Sequence, residues 1–315
     1  MNSATNNKII IPGGAGYLGK TLAHYFTQRE IPVVILSRQA YPASEFVRYV
    51  HWDGATLGAW AEEFEQAAAV INLAGRSVNC RYNEANKRAI YESRLKSTKV
   101  LGEAIGGCAT PPKVWFNSSS ATIYRHAEDR PMDEATGEFG QDFSVDVVQQ
   151  WERVFNEAPT PQTRKVALRA AMVFGVGKGG VFEAFHNIVK LGLGGTLGNG
   201  RQFVSWVHAE DFCRAIEWMM QHEELDGAVN IAVPNPLPNA EFMRIFRQAC
   251  AQPIGLPATK WMLEIGAFFL QTETELLLKS RRVVPGRLLA SGFHFQFPHF
   301  AAAIQDILEA EQRGS

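Results

Sequence analysis

The stretch Lys8-Ile9-Ile10-Ile11-Pro12-Gly13-Gly14-Ala15-Gly16-Tyr17-Leu18-Gly19 decides the fold. An apolar run ends in glycines spaced three apart, and a helical pattern follows, which is the order of a dinucleotide-binding βαβ unit. Gly13 gives the sharp turn out of the strand, Gly16 lets the backbone approach a pyrophosphate beside Tyr17 and Leu18, and Gly19 lets the helix pack close to the sheet. The helix start then presents free N–H groups and partial positive charge to phosphates. The next apolar run, residues 32–36, ends at Ser37-Arg38, the place where such a unit distinguishes NAD from NADP. An acidic residue there would hold the adenosine 2′-hydroxyl and repel a 2′-phosphate. Ser37 and Arg38 instead offer a hydroxyl and a permanently charged planar fork, so NADP is favoured over NAD. The competing reading of Arg38 is a solvated surface arginine.

Working outward, apolar runs at 47–52, 69–73, 114–117 and 166–168 alternate with helical stretches, which predicts an α/β fold with a doubly wound, Rossmann-type parallel sheet. The longest helix is expected over 83–105. It is rich in Lys, Arg, Glu, Ala and Leu, and it stops at Gly106-Gly107 ahead of Pro111-Pro112. Ligands bind at the carboxyl ends of parallel strands, so the residues just after each strand are the candidates for function. After Phe174 the texture changes to glycine-rich segments, 175–180 and 192–200. These suggest an NADP-binding unit over 1–175, with a late strand near 228–232 returning to its sheet, and a smaller substrate lobe over 176–315 that includes an appended C-terminal unit over about 260–315.

The bulk composition narrows the partners. With 31 Lys plus Arg against 32 Asp plus Glu, the net charge of -1 gives no reason to expect a nucleic acid or an anionic membrane. No apolar stretch reaches the length of a membrane span. Cys80, Cys108, Cys213 and Cys250 are widely spaced, without a metal-ligand pattern, and read as reduced structural thiols. The short polar start, Met1 to Asn7, leaves no room for a signal peptide, so the default expectation is a cytoplasmic protein. Gly314-Ser315 is compatible with a natural end or an appended remnant. The helix at 83–105 is a candidate homodimer face, with exposed sides polar for that role.

The segment Asn117-Ser118-Ser119-Ser120-Ala121-Thr122-Ile123-Tyr124, directly after a strand, resembles the extended short-chain dehydrogenase/reductases. The resemblance spans nearly the whole chain. It includes Asn72-Leu73-Ala74-Gly75, Leu168-Arg169 and Trp206-Val207-His208-Ala209-Glu210-Asp211. In that family a Tyr-x-x-x-Lys pair on one helix face moves a proton, and the serine orients the substrate oxygen. With Glu152 as anchor, the resemblance puts the tyrosine at Ser144 and the lysine at Val148, and no Tyr or Lys occurs from Gly140 to Phe155. Val204 stands where sugar-nucleotide enzymes carry a diphosphate-gripping arginine, with Arg201 nearby. Ser93-Arg94, Ser97-Thr98, Trp151-Glu152, Arg282-Val283-Val284-Pro285, Gly292-Phe293 and Phe297-Pro298 are similar to a divergent epimerase-like subfamily with a small C-terminal domain of unknown function.

The resemblance implies cofactor contacts from Gly13, Gly16, Tyr17, Leu18, Gly19, Ser37, Arg38, Asp53 (toward adenine), Leu73, Ala74, Gly75, Arg94 and Ser118. Ser120 is a candidate catalytic hydroxyl or a backbone cap. Tyr124 is the best replacement proton donor near the serine motif, or a packed loop tyrosine. Arg94 holds a carboxylate or phosphate, or pairs with a structural acid. Arg76, Lys178, Arg201 and Trp206 are candidate substrate contacts, while His208 and Asp211 read as a structural turn entering a helix. No metal is expected. Two functions stand open: an NADP(H)-dependent oxidoreductase or epimerase-like enzyme on a small carbonyl or hydroxyl substrate, and a catalytically silent NADPH-binding regulatory or interaction protein.

Overall fold

A computed structural model describes residues 7–258 and 279–313. Part of the expected C-terminal unit (259–278), most of the polar start (1–6) and Gly314-Ser315 lie outside the described residues. In chain order the elements are β1 (Ile9–Pro12), α1 (Tyr17–Thr27), β2 (Val33–Ser37), β3 (Val47–His51), β4 (Ala69–Asn72), α2 (Glu84–Gly106), β5 (Val114–Ser120), α3 (Phe143–Glu157), β6 (Arg164–Ala170), β7 (Met172–Phe174), α4 (Val181–Lys190), β8 (Phe203–Val204), β9 (Trp206–His208), α5 (Ala209–Gln221), β10 (Gly227–Ile231), β11 (Leu237–Pro238) and α6 (Asn239–Ala249). Two further helices, Gly286–Ala290 and Phe300–Arg313, follow.

Seven strands form one parallel sheet in the order β10-β6-β5-β4-β1-β2-β3. Because all run the same way, every strand delivers its carboxyl end to one edge. The chain reverses its direction of travel across the sheet between β1 and β4, the crevice where ligands bind in open α/β sheets. The apolar runs of β1, β2 and β4 are buried along their whole lengths, as strands covered by helices on both faces must be. One face packs on Leu22, Phe26, Phe212 and Ile216 from α1 and α5. The other packs on Val100, Leu101 and Phe155 from α2 and α3.

Local chemistry starts the helices near the site. Asn83 accepts a hydrogen bond from the Asn86 amide at 2.9 Å and opens α2. Asp142 accepts one from Val145 N at 3.0 Å and opens α3. A third, phenylalanine-rich core joins Phe174, Phe182, Phe185, Phe242, Phe246 and Phe300 beyond the sheet edge. Asp211, fully buried, ties that region down by accepting the amides of Gln296 and Phe297 at 2.8 Å and an Arg214 hydrogen bond at 2.6 Å. His208 stacks on Phe297 with ring centres 4.0 Å apart. Both residues thus serve structure. No helix among the described residues is long and apolar enough to cross a membrane.

Candidate active site at the strand ends

The first half of the site is the turn between β1 and α1. Gly13 has φ of +75°, and a Cβ there would lie 2.7 Å from the Ala74 backbone, so the turn and the loop after β4 meet at a distance that only glycine allows. Gly19 is required by a closer neighbour than the sheet: a Cβ on it would lie 2.2 Å from Gly14 Cα, so the helix packs on the turn itself. Gly16 faces open space, with nothing within 4 Å of where its Cβ would be. It starts α1 without a side-chain cap, and no acidic residue lies in the first turn. Uncapped N–H groups and an acid-free first turn suit an anion.

Tyr17 packs behind this turn rather than into it. A Cβ on Gly177 would lie 3.0 Å from its ring, and one on Gly175 would lie 2.7 Å from its hydroxyl, so Tyr17 locks the 175–180 loop against α1. Burial pushes its phenol well above the ordinary tyrosine range. Leu18 packs against the main core. Lys178, in the same loop, is exposed and has no partner among the described residues.

At the end of β2 the Ser37 hydroxyl accepts from Gln39 N at 3.1 Å, and Arg38 is exposed with no ion pair among the described residues. Asp53 organises its own loop, accepting from Ala55 N at 2.8 Å, Thr56 N at 2.9 Å and the Thr56 hydroxyl at 2.5 Å. These bonds, the Thr56 side chain foremost, hold its carboxyl down at about 2. Its charge is therefore committed to the turn.

Beyond the switch point, a buried polar network explains why several scattered motif residues occur together. Asn72 Nδ2 donates to Asn117 Oδ1 at 2.6 Å and lies 3.3 Å from Thr98 Oγ1, which also accepts from Trp151 Nε1 at 2.8 Å. Asn72 Oδ1 accepts from Ala74 N at 3.0 Å. The loop Leu73-Ala74-Gly75 is thus fixed from below by β4, β5, α2 and α3 together, and Leu73 N donates to Pro12 O at 2.9 Å. Buried amides and hydroxyls satisfied in this way specify one arrangement.

Arg94 reaches up under the same loop. Its guanidinium donates to the carbonyls of Arg76 at 3.0 Å and Ile90 at 3.1 Å, lies 5.1 Å from the Trp151 ring centre, and has no carboxylate partner among the described residues. A Cβ on Gly75 would lie 3.3 Å from Arg94 Cζ. Burial lowers Arg94 to about 10, with Tyr82 and then Cys80 acting in the opposite direction. Of the two readings of Arg94, the structural acid is the one without a candidate partner. Arg76 itself is exposed and bound to Asn86 Oδ1 at 2.8 Å.

The second half of the site is the end of β5 against α3. Ser120 is half-buried and accepts from Thr122 N at 3.1 Å, which caps the short helical turn Ala121–Ile123 while the hydroxyl proton stays available. Ser118 is half-buried, and its carbonyl accepts from Asn117 Nδ2 at 3.0 Å. Ser119 instead points to Glu152 Oε1 at 2.5 Å. Glu152 is gripped on both oxygens by Arg169, at 2.8 and 2.7 Å, with the paired side chains 10% and 7% exposed. Burial alone would lower the Arg169 pKa, but the Glu152 hydrogen bonds and charge outweigh it and raise it.

Two expectations are corrected. Tyr124 is fully buried, donating to Asn230 Oδ1 at 2.9 Å and accepting from Arg169 at 3.1 Å, and burial raises its pKa. Such a phenol is a packing residue, and it is withdrawn as proton donor. Trp206 is fully buried against Phe300, ring centres 5.0 Å apart, so it lines no pocket. Arg201 is exposed and paired with Glu128 at 3.2 Å, beside a surface hollow lined by Asn199, Phe203 and Pro238.

On α3, Val148 is buried and Ser144 lies half-buried at the head of the helix. The Tyr82 hydroxyl lies 3.5 Å from Ser144 Oγ, and its ring sits edge-on to Phe143 with centres 4.8 Å apart. Lys279 also reaches this corner, donating to Asp142 Oδ2 at 2.5 Å and lying 3.4 Å from Thr122 O. Neither residue was foreseen. Both are distant in sequence from α3, and no local spacing marks them.

The family model for the NAD dependent epimerase/dehydratase family matches residues 9–232, and a model described as a domain of unknown function (DUF1731) matches residues 258–307. The chain is 31% identical over 301 residues to an epimerase family protein of Staphylococcus saprophyticus, covering 95% of this chain and 98% of that protein. It is 28% identical over 304 residues to the human epimerase family protein SDR39U1, covering 96% and 99%. A crystal structure of that human protein, isoform 2 with NADPH, superposes with a TM-score of 0.85 at 29% identity over 96% of this chain and 99% of that one. The UDP-N-acetylglucosamine 4-epimerase of Bacillus cereus, at 17% identity over 98% of this chain and 97% of that one, shares the fold with a TM-score of 0.75. With seven parallel strands, a glycine turn at the switch point and a family model covering most of its length, the chain belongs to the NAD dependent epimerase/dehydratase family.

Proposed function

We propose that this chain is an NADP(H)-dependent oxidoreductase or epimerase-like enzyme acting on a small carbonyl or hydroxyl substrate. The observation that carries the proposal is one continuous edge bearing an uncapped helix start at Gly16, an uncommitted Arg38 at the end of β2, and Ser120 with a free hydroxyl proton at the end of β5. The residues present fit the cofactor. Gly13 and Gly19 let the turn pack tightly on Ala74 and Gly14, Gly16 leaves open space where a pyrophosphate would sit, Ser37 and Arg38 would meet a 2′-phosphate, and Leu73, Ala74 and Gly75 would border the ribose. The NADPH in the human relative supports the choice of nucleotide. When bound, the nicotinamide supplies hydride chemistry. The chain supplies orientation: Ser120 holds the substrate oxygen by a hydrogen bond from its hydroxyl, and Arg94 provides uncompensated positive charge under the Gly75 loop.

The test is NADPH consumption by the full chain across a panel of small carbonyl compounds. Turnover that falls about 100-fold in Ser120→Ala with unchanged NADPH affinity is the expected result. Absence of turnover throughout the panel, with NADPH bound tightly, favours the second reading, a silent NADPH-binding regulatory protein. The observation behind that alternative is the pair Ser144 and Val148, neither of which moves a proton.

A further inference from the structure

We propose that Tyr82, delivered from the loop ahead of α2, is the catalytic phenol of this chain, and that Arg94 is the cation that stabilises its ionised form. The proposal deepens the enzyme reading above and rests on it for the identity of the reaction.

The argument begins with geometry. The head of α3 carries Ser144 at the position where the resemblance puts a tyrosine, and the hydroxyl that occupies this corner is Tyr82 Oη, 3.5 Å from Ser144 Oγ. The ring is held by its edge-on contact with Phe143. The corner adjoins Ser120: the turn Ala121–Ile123 is joined to α3 through Gly140 N, which donates to Ile123 O at 3.0 Å, and through Lys279, which links Asp142 and Thr122 O.

One cation near Tyr82 acts in favour of its anion. Arg94 on α2 is a part-buried cation without a carboxylate partner among the described residues, and Tyr82 is the first group that offsets the burial effect on it. Two acids flank the corner. At the head of α3, Asp142 is bound by Lys279, and one turn on, Asp146 accepts from the Tyr91 hydroxyl. Lys87 on α2 lies 5.6 Å from the centre of the Phe143 ring that Tyr82 contacts and is itself paired with Glu84 at 3.2 Å. Arg94 is therefore the cation that the proposal sets against the Tyr82 phenol, and a nearby cation draws a phenol toward neutral pH.

In the reducing direction the carbonyl carbon receives a hydride, with its electron pair, from the reduced nicotinamide, and the C=O π pair moves to oxygen. Tyr82 Oη gives its proton to that oxygen, breaking the phenol O–H bond and forming the alcohol O–H bond. The tyrosinate remains beside Arg94 and takes a proton back from water. Ser120 holds the same oxygen. The oxidising direction runs these steps in reverse.

The experiment is a pH titration of the full chain carrying ¹³Cζ-labelled tyrosine, followed by NMR without nucleotide and with NADP⁺. Tyr82 is identified as the resonance absent from Tyr82→Phe. Tyr17, Tyr25, Tyr49, Tyr91 and Tyr124 are held above the ordinary value, and the remaining Tyr41 resonance is assigned by its absence from Tyr41→Phe. The Tyr82 resonance is expected to titrate at least about one unit below the usual value near 10, and to rise by about one unit or more in Arg94→Met. A midpoint at or above 10, or one indifferent to Arg94→Met, overturns the proposal. Failure of NADP⁺ to bind overturns the cofactor reading and leaves the nucleotide-free midpoint to judge Tyr82 separately. Where the carbonyl panel gives turnover, Tyr82→Phe lowers kcat about 100-fold or more with NADPH affinity unchanged. An unchanged kcat overturns the catalytic role.

Discussion

The turn after β1 and the head of α3 solve the same kind of problem in opposite ways. Each must put a few atoms at fixed positions beside the sheet edge. At the turn the positions belong to backbone, and the chain has only one solution: Gly13 at φ +75° against Ala74, and Gly19 against Gly14. At the head of α3 the position belongs to a side-chain oxygen. An oxygen can be delivered from any element that reaches the place, and here Tyr82 approaches from outside α3 to within 3.5 Å of Ser144. Backbone geometry ties a function to its sequence motif. Side-chain geometry leaves the motif free to change while the atom stays.

The largest effect is expected where α3 is anchored. Glu152→Gln removes the charge opposite Arg169, whose guanidinium grips both Glu152 oxygens in a nearly dry pocket. Leaving that cation uncompensated is expected to cost about 3–5 kcal/mol in urea unfolding. It is also expected to shift the Tyr82 titration, because Ser144 and Phe143 move with the helix. A change below about 1 kcal/mol would mean that the β5 and β6 contacts position α3 without this pair.

A smaller effect is expected at the turn. Gly13→Ala places a Cβ 2.7 Å from the Ala74 backbone at a left-handed φ. The left-handed conformation alone costs about 1–2 kcal/mol. Calorimetry is expected to show weakened NADPH binding along with the lost stability, while the nucleotide-free Tyr82 titration stays where it was. A shift in that titration would show that the two halves of the edge are coupled rather than separate.

The same contrast governs what was legible in the sequence. The glycine turn, the limits of the long helix α2 and the parallel alternation follow from strictly local chemistry, and they match the observed β1–α1 turn, the Asn83 cap and the parallel pairing of the seven-stranded sheet. The short pairings of β7 with β9 and of β8 with β11 were not legible, since segments of two or three residues carry no periodicity. Ser120 was marked by its motif. Tyr124, four residues on, was marked by proximity alone, and its side chain instead turns inward to Asn230, 106 residues away. Tyr82 was invisible for the converse reason: its partner Ser144 is 62 residues distant, and only tertiary packing brings them together. Likewise Asn72, Thr98, Asn117 and Trp151 are unremarkable singly, and their purpose lies in one shared hydrogen-bond network.

The central claim is that the cofactor half of the edge is intact and selects NADP(H). Calorimetric titration of the nucleotide-free chain with NADPH and with NADH, in wild type and Arg38→Ala, tests it most directly. The account predicts NADPH binding preferred over NADH, with the preference reduced about 10- to 100-fold in Arg38→Ala, the worth of one charge-assisted contact to a 2′-phosphate. Equal affinity for the two nucleotides in wild type, or an NADPH preference untouched by Arg38→Ala, would contradict it.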